Sequence, residues 1–112
     1  MRKQVKTLSK KKIYMNTKTG HPSRPFTQKG KKVKSVGFTS DEKETFVKKT
    51  KLKHNINPES NAPCFVKNAI ENYNSFDYKE TDKYRNFRVH KEDEAIINKI
   101  IKNNINKKDR SK

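Results

Sequence analysis

Four polar residues, His21, Arg24, Thr39 and Ser40, stand near the two ends of one stretch of this chain. Their types are those needed to cut RNA without a metal. Such a reaction takes a proton acceptor for the 2′-hydroxyl, a proton donor for the leaving oxygen and a cation beside the phosphate. His21 can exchange protons, Arg24 can stabilise phosphate charge, and the Thr39 hydroxyl, with Ser40 beside it, can orient a phosphate oxygen. The same residues also have an ordinary use: His21-Pro22 suits a loop, and Thr39-Ser40-Asp41-Glu42 suits a turn or a helix cap. Other chemistry finds little support. His21, His54 and His90 are far apart in sequence, Cys64 is the single cysteine, and no HxxxH, CxxC or calcium-loop spacing occurs. With Gly20, Gly30 and Gly37 the only glycines, neither GxxxxGK[ST] nor GxGxxG is present. No metal and no cofactor are expected.

The four residues meet only if the chain between them folds back on itself, so that residues leading into one strand lie across from residues leaving the next. The stretch from Gly20 to Ser40 has that form. Its first limb, His21 to Gln28, carries Pro22 and Pro25, which remove ladder donors and suit a strand start or sheet edge. The second limb, Val33 to Ser40, places Val36 and Phe38 on one face and Val33, Ser35, Gly37 and Thr39 on the other. Between them, Lys29-Gly30-Lys31-Lys32 holds a glycine able to take the positive φ of a hairpin loop. Two partly apolar faces with Gly37 at the centre fit a small barrel, where a glycine marks a bulge or a close backbone approach.

Length and charge narrow the class. A chain of 112 residues makes one small domain. Its 29% hydrophobic and 37% charged content lean toward disorder, yet six Phe, four Tyr and the β-branched residues allow a small core. Residues 1–40 hold twelve Lys or Arg and no acid, out of a net charge of +17. A front-loaded basic excess is the electrostatic footprint of a phosphate binder. Lys10, Lys11 and Lys12 in the arm, and Lys29, Lys31, Lys32 and Lys34 at the hairpin bend, are the candidate nucleic-acid contacts; a solvated, solubilising charge run is the plain alternative. A membrane surface is not expected, because the arm lacks the apolar face of an interfacial helix. One cysteine implies a reducing compartment, and no run approaches the roughly 18 apolar residues of a spanning helix. A cytoplasmic protein is expected, since no apolar segment follows the basic N-terminus.

In chain order, residues 1–19 show no sustained apolar period and read as a flexible, disordered basic arm, with Ile13-Tyr14-Met15 able to add an edge strand. Residues 41–53 read as a long loop with one turn, residues 52–56 (LKHNI) as a short strand and residues 58–63 as a turn cluster. Cys64 to Ile70 is the next strand. Tyr73, Phe76 and Tyr78 follow among loop formers, available either to core burial or to stacking on bases. Tyr84 to Val89 is a last short strand or an extended approach to a helix over His90 to Ile105. There Ile96, Ile97, Ile100, Ile101 and Ile105 make an apolar stripe, and Glu92, Asp93 and Glu94 complement the helix dipole. Residues 106–112 form a charged tail. The expected fold is α+β, mainly β: one barrel-like domain over residues 20–105 closed by the C-terminal helix.

This order of parts, with His21-Pro22-Ser23-Arg24-Pro25 opening one strand and Val36-Gly37-Phe38-Thr39-Ser40 ending the next, resembles the MazF/PemK-like toxins, small SH3-like barrels. In that family an Arg-Pro or similar pair precedes the first strand and a Pro-hydrophobic-Thr-Ser segment ends the second. Here His21 stands at the arginine position unless Arg24-Pro25 is the match, and Gly37 replaces the proline. The resemblance implies metal-independent endoribonuclease activity with an arginine and a threonine central, RNA as the target rather than DNA, a homodimer, and neutralisation by an antitoxin protein. Two other classes fit the charge. One is a non-catalytic DNA-binding accessory protein of a mobile element, with the Phe26 to Phe38 hairpin as the wing of a winged helix. The other is an SH3-like RNA-binding module that uses the basic bend without chemistry.

Overall fold

The computed structural model describes residues 6–40 and 48–110, so the first five residues of the expected arm, most of the loop 41–53 and the end of the tail lie outside it. Six strands, β1 (Tyr14–Asn16), β2 (His21–Lys29), β3 (Lys32–Thr39), β4 (Lys49–Lys51), β5 (Phe65–Asn74) and β6 (Tyr78–Lys79), precede one helix, α1 (Lys91–Arg110). All pairings are antiparallel, in the order β4-β5-β3-β2-β1-β6. The architecture is α+β, mainly β. The sheet is open, with β4 and β6 at its edges, so the strand pairings do not close a barrel.

The hairpin β2–β3 forms where the sequence places it, and Lys29 pairs with Lys32 across a loop whose first residue, Gly30, has φ +59°. Residues with a side chain rarely adopt that left-handed backbone conformation, which is why glycine holds the bend. Between Pro25 and Thr27 the register slips, leaving Phe26 as an extra residue in β2. Pro25 has no N–H to give to a ladder, so a bulge beside it costs little pairing. A second slip opposes Gly37, between Val36 and Phe38 of β3 against β5. There the Glu71 carboxylate crosses so close to the backbone that a Cβ on residue 37 would stand 2.7 Å from Oε2.

Alternation along β3 then separates two cores. Val36 and Phe38 join Ile13, Leu52, Ile56, Cys64, Val66, Tyr84 and Phe87, and α1 covers this face with Ile97 and Ile100. On the opposite side Val33 packs with Leu8, Tyr14 and Tyr78. Beside this smaller cluster lies a polar knot. Glu71 Oε1 accepts from Ser23 Oγ at 2.7 Å and Ser35 Oγ at 3.2 Å, and Ser35 Oγ meets the Tyr78 hydroxyl at 2.7 Å. Both serines and Tyr78 are wholly buried. Burial therefore raises the Tyr78 phenol from 10.0 to about 12, with the Ser35 hydrogen bond pulling the other way.

Two expectations change. From residue 6 onward the arm is packed rather than free: Leu8, Ile13 and Tyr14 are buried, and β1 pairs on both sides, with β2 and β6. Three anchors spaced five and one residues apart make no period, so tertiary contact decided what propensity did not. The strand read at residues 52–56 lies instead at Lys49–Lys51. Leu52 and Ile56 are buried, but the N–H groups of Lys53 and His54 go to the Asp93 carboxylate, at 2.8 and 3.0 Å, rather than to a ladder. Of the two readings of residues 84–89, the strand does not form: the segment leaves a 3-10 turn at Asp82–Tyr84 and approaches α1 outside any ladder, with the Arg88 N–H on the Ile56 carbonyl at 2.9 Å. One α-helix among the described residues also falls short of the three that a winged helix needs.

Two outcomes follow from the polar knot. Glu71→Ala strips the acceptor from Ser23 and is expected to lower unfolding stability by about 2 kcal/mol, with Glu71→Gln less affected. Urea denaturation should show a lower midpoint at unchanged slope. Because the folded-state value of Tyr78 lies above 10.0, its contribution is complete below pH 10 and disappears as the pH rises through about 12. Tyr84, also raised by burial, acts in the same direction. Stability measured across that window should fall, and Tyr78→Phe should flatten the fall.

Candidate nucleic-acid interface and adjoining cleft

The open end of the hairpin and its bend are the two places where the candidate residues gather. At the open end, a tight turn over residues 17–20 returns the chain to β2. Gly20, at φ +75°, donates its N–H to the Asn16 carbonyl at 2.7 Å, and the His21 N–H reaches Thr19 Oγ1 at 3.2 Å. The pairings Asn16 with His21 and Ser23 with Gly37 bring the start of β2 beside the end of β3. His21, Thr39 and Ser40 consequently line one cleft of about 360 Å³, together with Asn57, Lys83 and Tyr84. Ser40 is exposed, whereas Thr39 is only 4% exposed.

Arg24 does not join them. Its Nη1 donates to Glu94 Oε1 of α1 at 2.6 Å and its Nε to the Lys10 carbonyl at 3.0 Å, with the side chain 18% exposed. The guanidinium is a strut between β2, the N-terminal segment and the helix. The cation that shares the cleft with His21 is Lys83, an exposed residue of the 3-10 turn. Sequence reading passed over Lys83 because it arrives from a distant segment with no motif of its own.

At the bend, Lys29, Lys31 and Lys32 are exposed and Lys34 half-buried. Among the described residues none of these four makes an ion pair. The bend is held from two directions. Gln28 Nε2 donates to the carbonyls of Lys6 at 2.7 Å and Gly30 at 2.9 Å, and Gln28 Oε1 accepts from the Leu8 N–H at 3.0 Å. From the other side, the Ser75 N–H donates to the Lys31 carbonyl at 2.7 Å. The N-terminal segment thus runs from the bend along β2, carrying exposed Lys10 and Lys11 toward Arg24. Lys12 is different: its ammonium pairs with Glu80 at 2.7 Å, which raises the lysine and lowers the carboxylate. Both partners are exposed, so the pair adds little stability.

Of the three aromatics after β5 begins to turn, Tyr78 is core, Tyr73 packs against the smaller cluster, and Phe76 stands 50% exposed beside the bend. The fold also unites two of the histidines that sequence distance had separated. The His54 and His90 rings stack at 3.7 Å, and their donor atoms lie within 4.8 Å of the Glu92 carboxylate. His90 Nδ1 accepts the Glu92 N–H at 3.1 Å, capping α1. With ring faces 25° from parallel, the in-plane lone pairs do not converge on a point, so the pair reads as a helix cap covered by a second imidazole. Sequence offered no signal for it, since the two histidines share no spacing rule.

Comparison with known proteins finds no matching family model, no matching curated protein and no matching solved structure.

Proposed function

We propose that this protein holds nucleic acid, RNA in preference to DNA, on the lysines of the β2–β3 bend and of the segment beside it. The observation that carries the reading is the bend itself: Lys29, Lys31 and Lys32 are exposed, lack a carboxylate partner among the described residues, and lie on or beside a two-residue loop braced by Gln28 and Ser75. Phosphates would replace water around cations whose backbone is already held, and release of their counterions drives binding. A merely solubilising run needs no such bracing. No helix among the described residues is long and apolar enough to cross a membrane. The single, buried cysteine supports a reducing compartment, and the cytoplasm is the proposed location.

A second reading, metal-independent RNA cleavage of the MazF/PemK kind, is favoured by the cleft that His21, Thr39 and Ser40 share with Lys83. On this reading His21 exchanges the proton, Lys83 rather than Arg24 faces the phosphate, and Thr39 shapes the floor. Preference for RNA follows, since the 2′-hydroxyl is the attacking group. The SH3-like barrel, the homodimer and the antitoxin partner belong to this reading, and the bends at the two register slips favour the curvature that such a barrel requires. A DNA-binding accessory protein with a winged helix receives no such support.

Two measurements test these readings. Binding to a labelled single strand, followed against salt, should give a steep negative slope. Lys29→Gln, Lys31→Gln and Lys32→Gln combined should weaken it by roughly ten- to a hundredfold at 0.1 M salt and flatten the slope by about 2. An unchanged slope would remove the bend from the interface. For cleavage, labelled RNA incubated in EDTA should be cut by the native protein and not by His21→Ala or Lys83→Ala. Intact RNA with salt-sensitive retention would leave a binder without chemistry.

A further inference from the structure

We infer that Phe76 is a stacking platform for an unpaired base, so that the lysine bend takes single-stranded rather than duplex nucleic acid; this rests on the binding reading above. Phe76 is one of only two large apolar side chains exposed among the described residues, the other being Ile105 near the end of α1. An exposed phenylalanine on a loose loop would mean little. This one is fixed at the second place of a 3-10 turn, Ser75–Asp77, closed by a reciprocal cap. Asn74 Oδ1 accepts the Phe76 N–H at 3.0 Å, and Asp77 Oδ2 accepts the Asn74 N–H at 3.2 Å. Thr17 Oγ1 and the Thr17 N–H both donate to the Asp77 carbonyl, at 2.9 and 2.8 Å, which ties the far side of the turn to the end of β1.

The turn is also fastened to the cationic loop. Asn74 pairs with Lys32, and the Ser75 N–H is held by the Lys31 carbonyl at 2.7 Å, so the backbone of the turn that carries Phe76 is joined to that of Lys31 and Lys32. Asp77 makes no ion pair with these lysines among the described residues, and its carboxylate accepts the Asn74 N–H. An exposed apolar ring on a turn joined to a loop of exposed lysines offers partners to the two recurring parts of a single strand, a base face and a phosphate. A duplex offers the phosphates but keeps its bases stacked inside. Stacking is indifferent to base identity, so little sequence preference is expected from this contact.

The test uses the full chain with a labelled twelve-nucleotide single strand, as RNA and as DNA, and a duplex of the same sequence. Phe76→Ala should weaken single-strand binding by roughly 5- to 150-fold with the salt slope kept, and leave duplex binding unchanged. The native chain has no tryptophan, so Phe76→Trp supplies a lone indole whose emission should be quenched by the single strand and not by the duplex. Circular dichroism checks that both variants fold. Single-strand affinity unaltered by Phe76→Ala, or an indole blind to the strand, overturns the platform while binding itself stands. A native chain that binds neither strand nor duplex overturns the binding reading and the platform with it.

Discussion

The close passage of Glu71 over Gly37 is the contact on which the sheet depends. One strand contributes a carboxylate and its neighbour gives up a side chain to admit it, at a place where any Cβ would crowd Oε2. The carboxylate then gathers hydroxyls from β2 and β3, Ser23 and Ser35, and through Ser35 reaches Tyr78, which leads β6. Hydrogen bonds in a dry interior lose far more when one partner is missing than they gain when made, so the knot specifies one register across β2, β3 and β5. A chain with 29% hydrophobic residues has little apolar surface with which to enforce register otherwise.

The helix is attached by the same kind of logic. Its apolar stripe supplies burial through Ile97 and Ile100, but its placement is set by three acids in the first turn, each with a separate task. Asp93 is fully buried and holds the backbone of the 52–56 loop, Glu94 takes Arg24 of β2, and Glu92 lies beside His54. Charges that suit a helix dipole also serve here as tertiary clamps. The cleft at the open end of the hairpin is a by-product of this docking, because Ile56 and Asn57 form part of its wall.

How much of this was legible follows from where each signal resides. The hairpin was readable because alternation, two prolines and a glycine speak locally, and α1 was readable because isoleucines recur at helical spacing. His21, Thr39 and Ser40 were placed together by pairing geometry alone. Arg24 was read as a phosphate clamp, and its ion pair with Glu94 went unforeseen because Glu94 lies 70 residues away and residue type cannot show which charge a guanidinium will meet. The N-terminal segment read as loose for a related reason. Leu8, Ile13 and Tyr14 are too few to make a period, and each is fixed only by what it finds across the sheet. The two-residue β6 leaves no local pattern at all, whereas β1 was read one residue early, as an edge strand at Ile13-Tyr14-Met15.

The hairpin's length has a last consequence. β2 runs nine residues from the His21 end to the lysine bend, which at ordinary strand rise sets the two roughly 25–30 Å apart. On the proposed function, a ladder with gripping groups at one terminus and a proton-exchanging group at the other would act as a molecular ruler. A strand anchored at the bend would present to the cleft only those nucleotides one hairpin length away. Chain position, rather than base sequence, would then decide what the cleft meets.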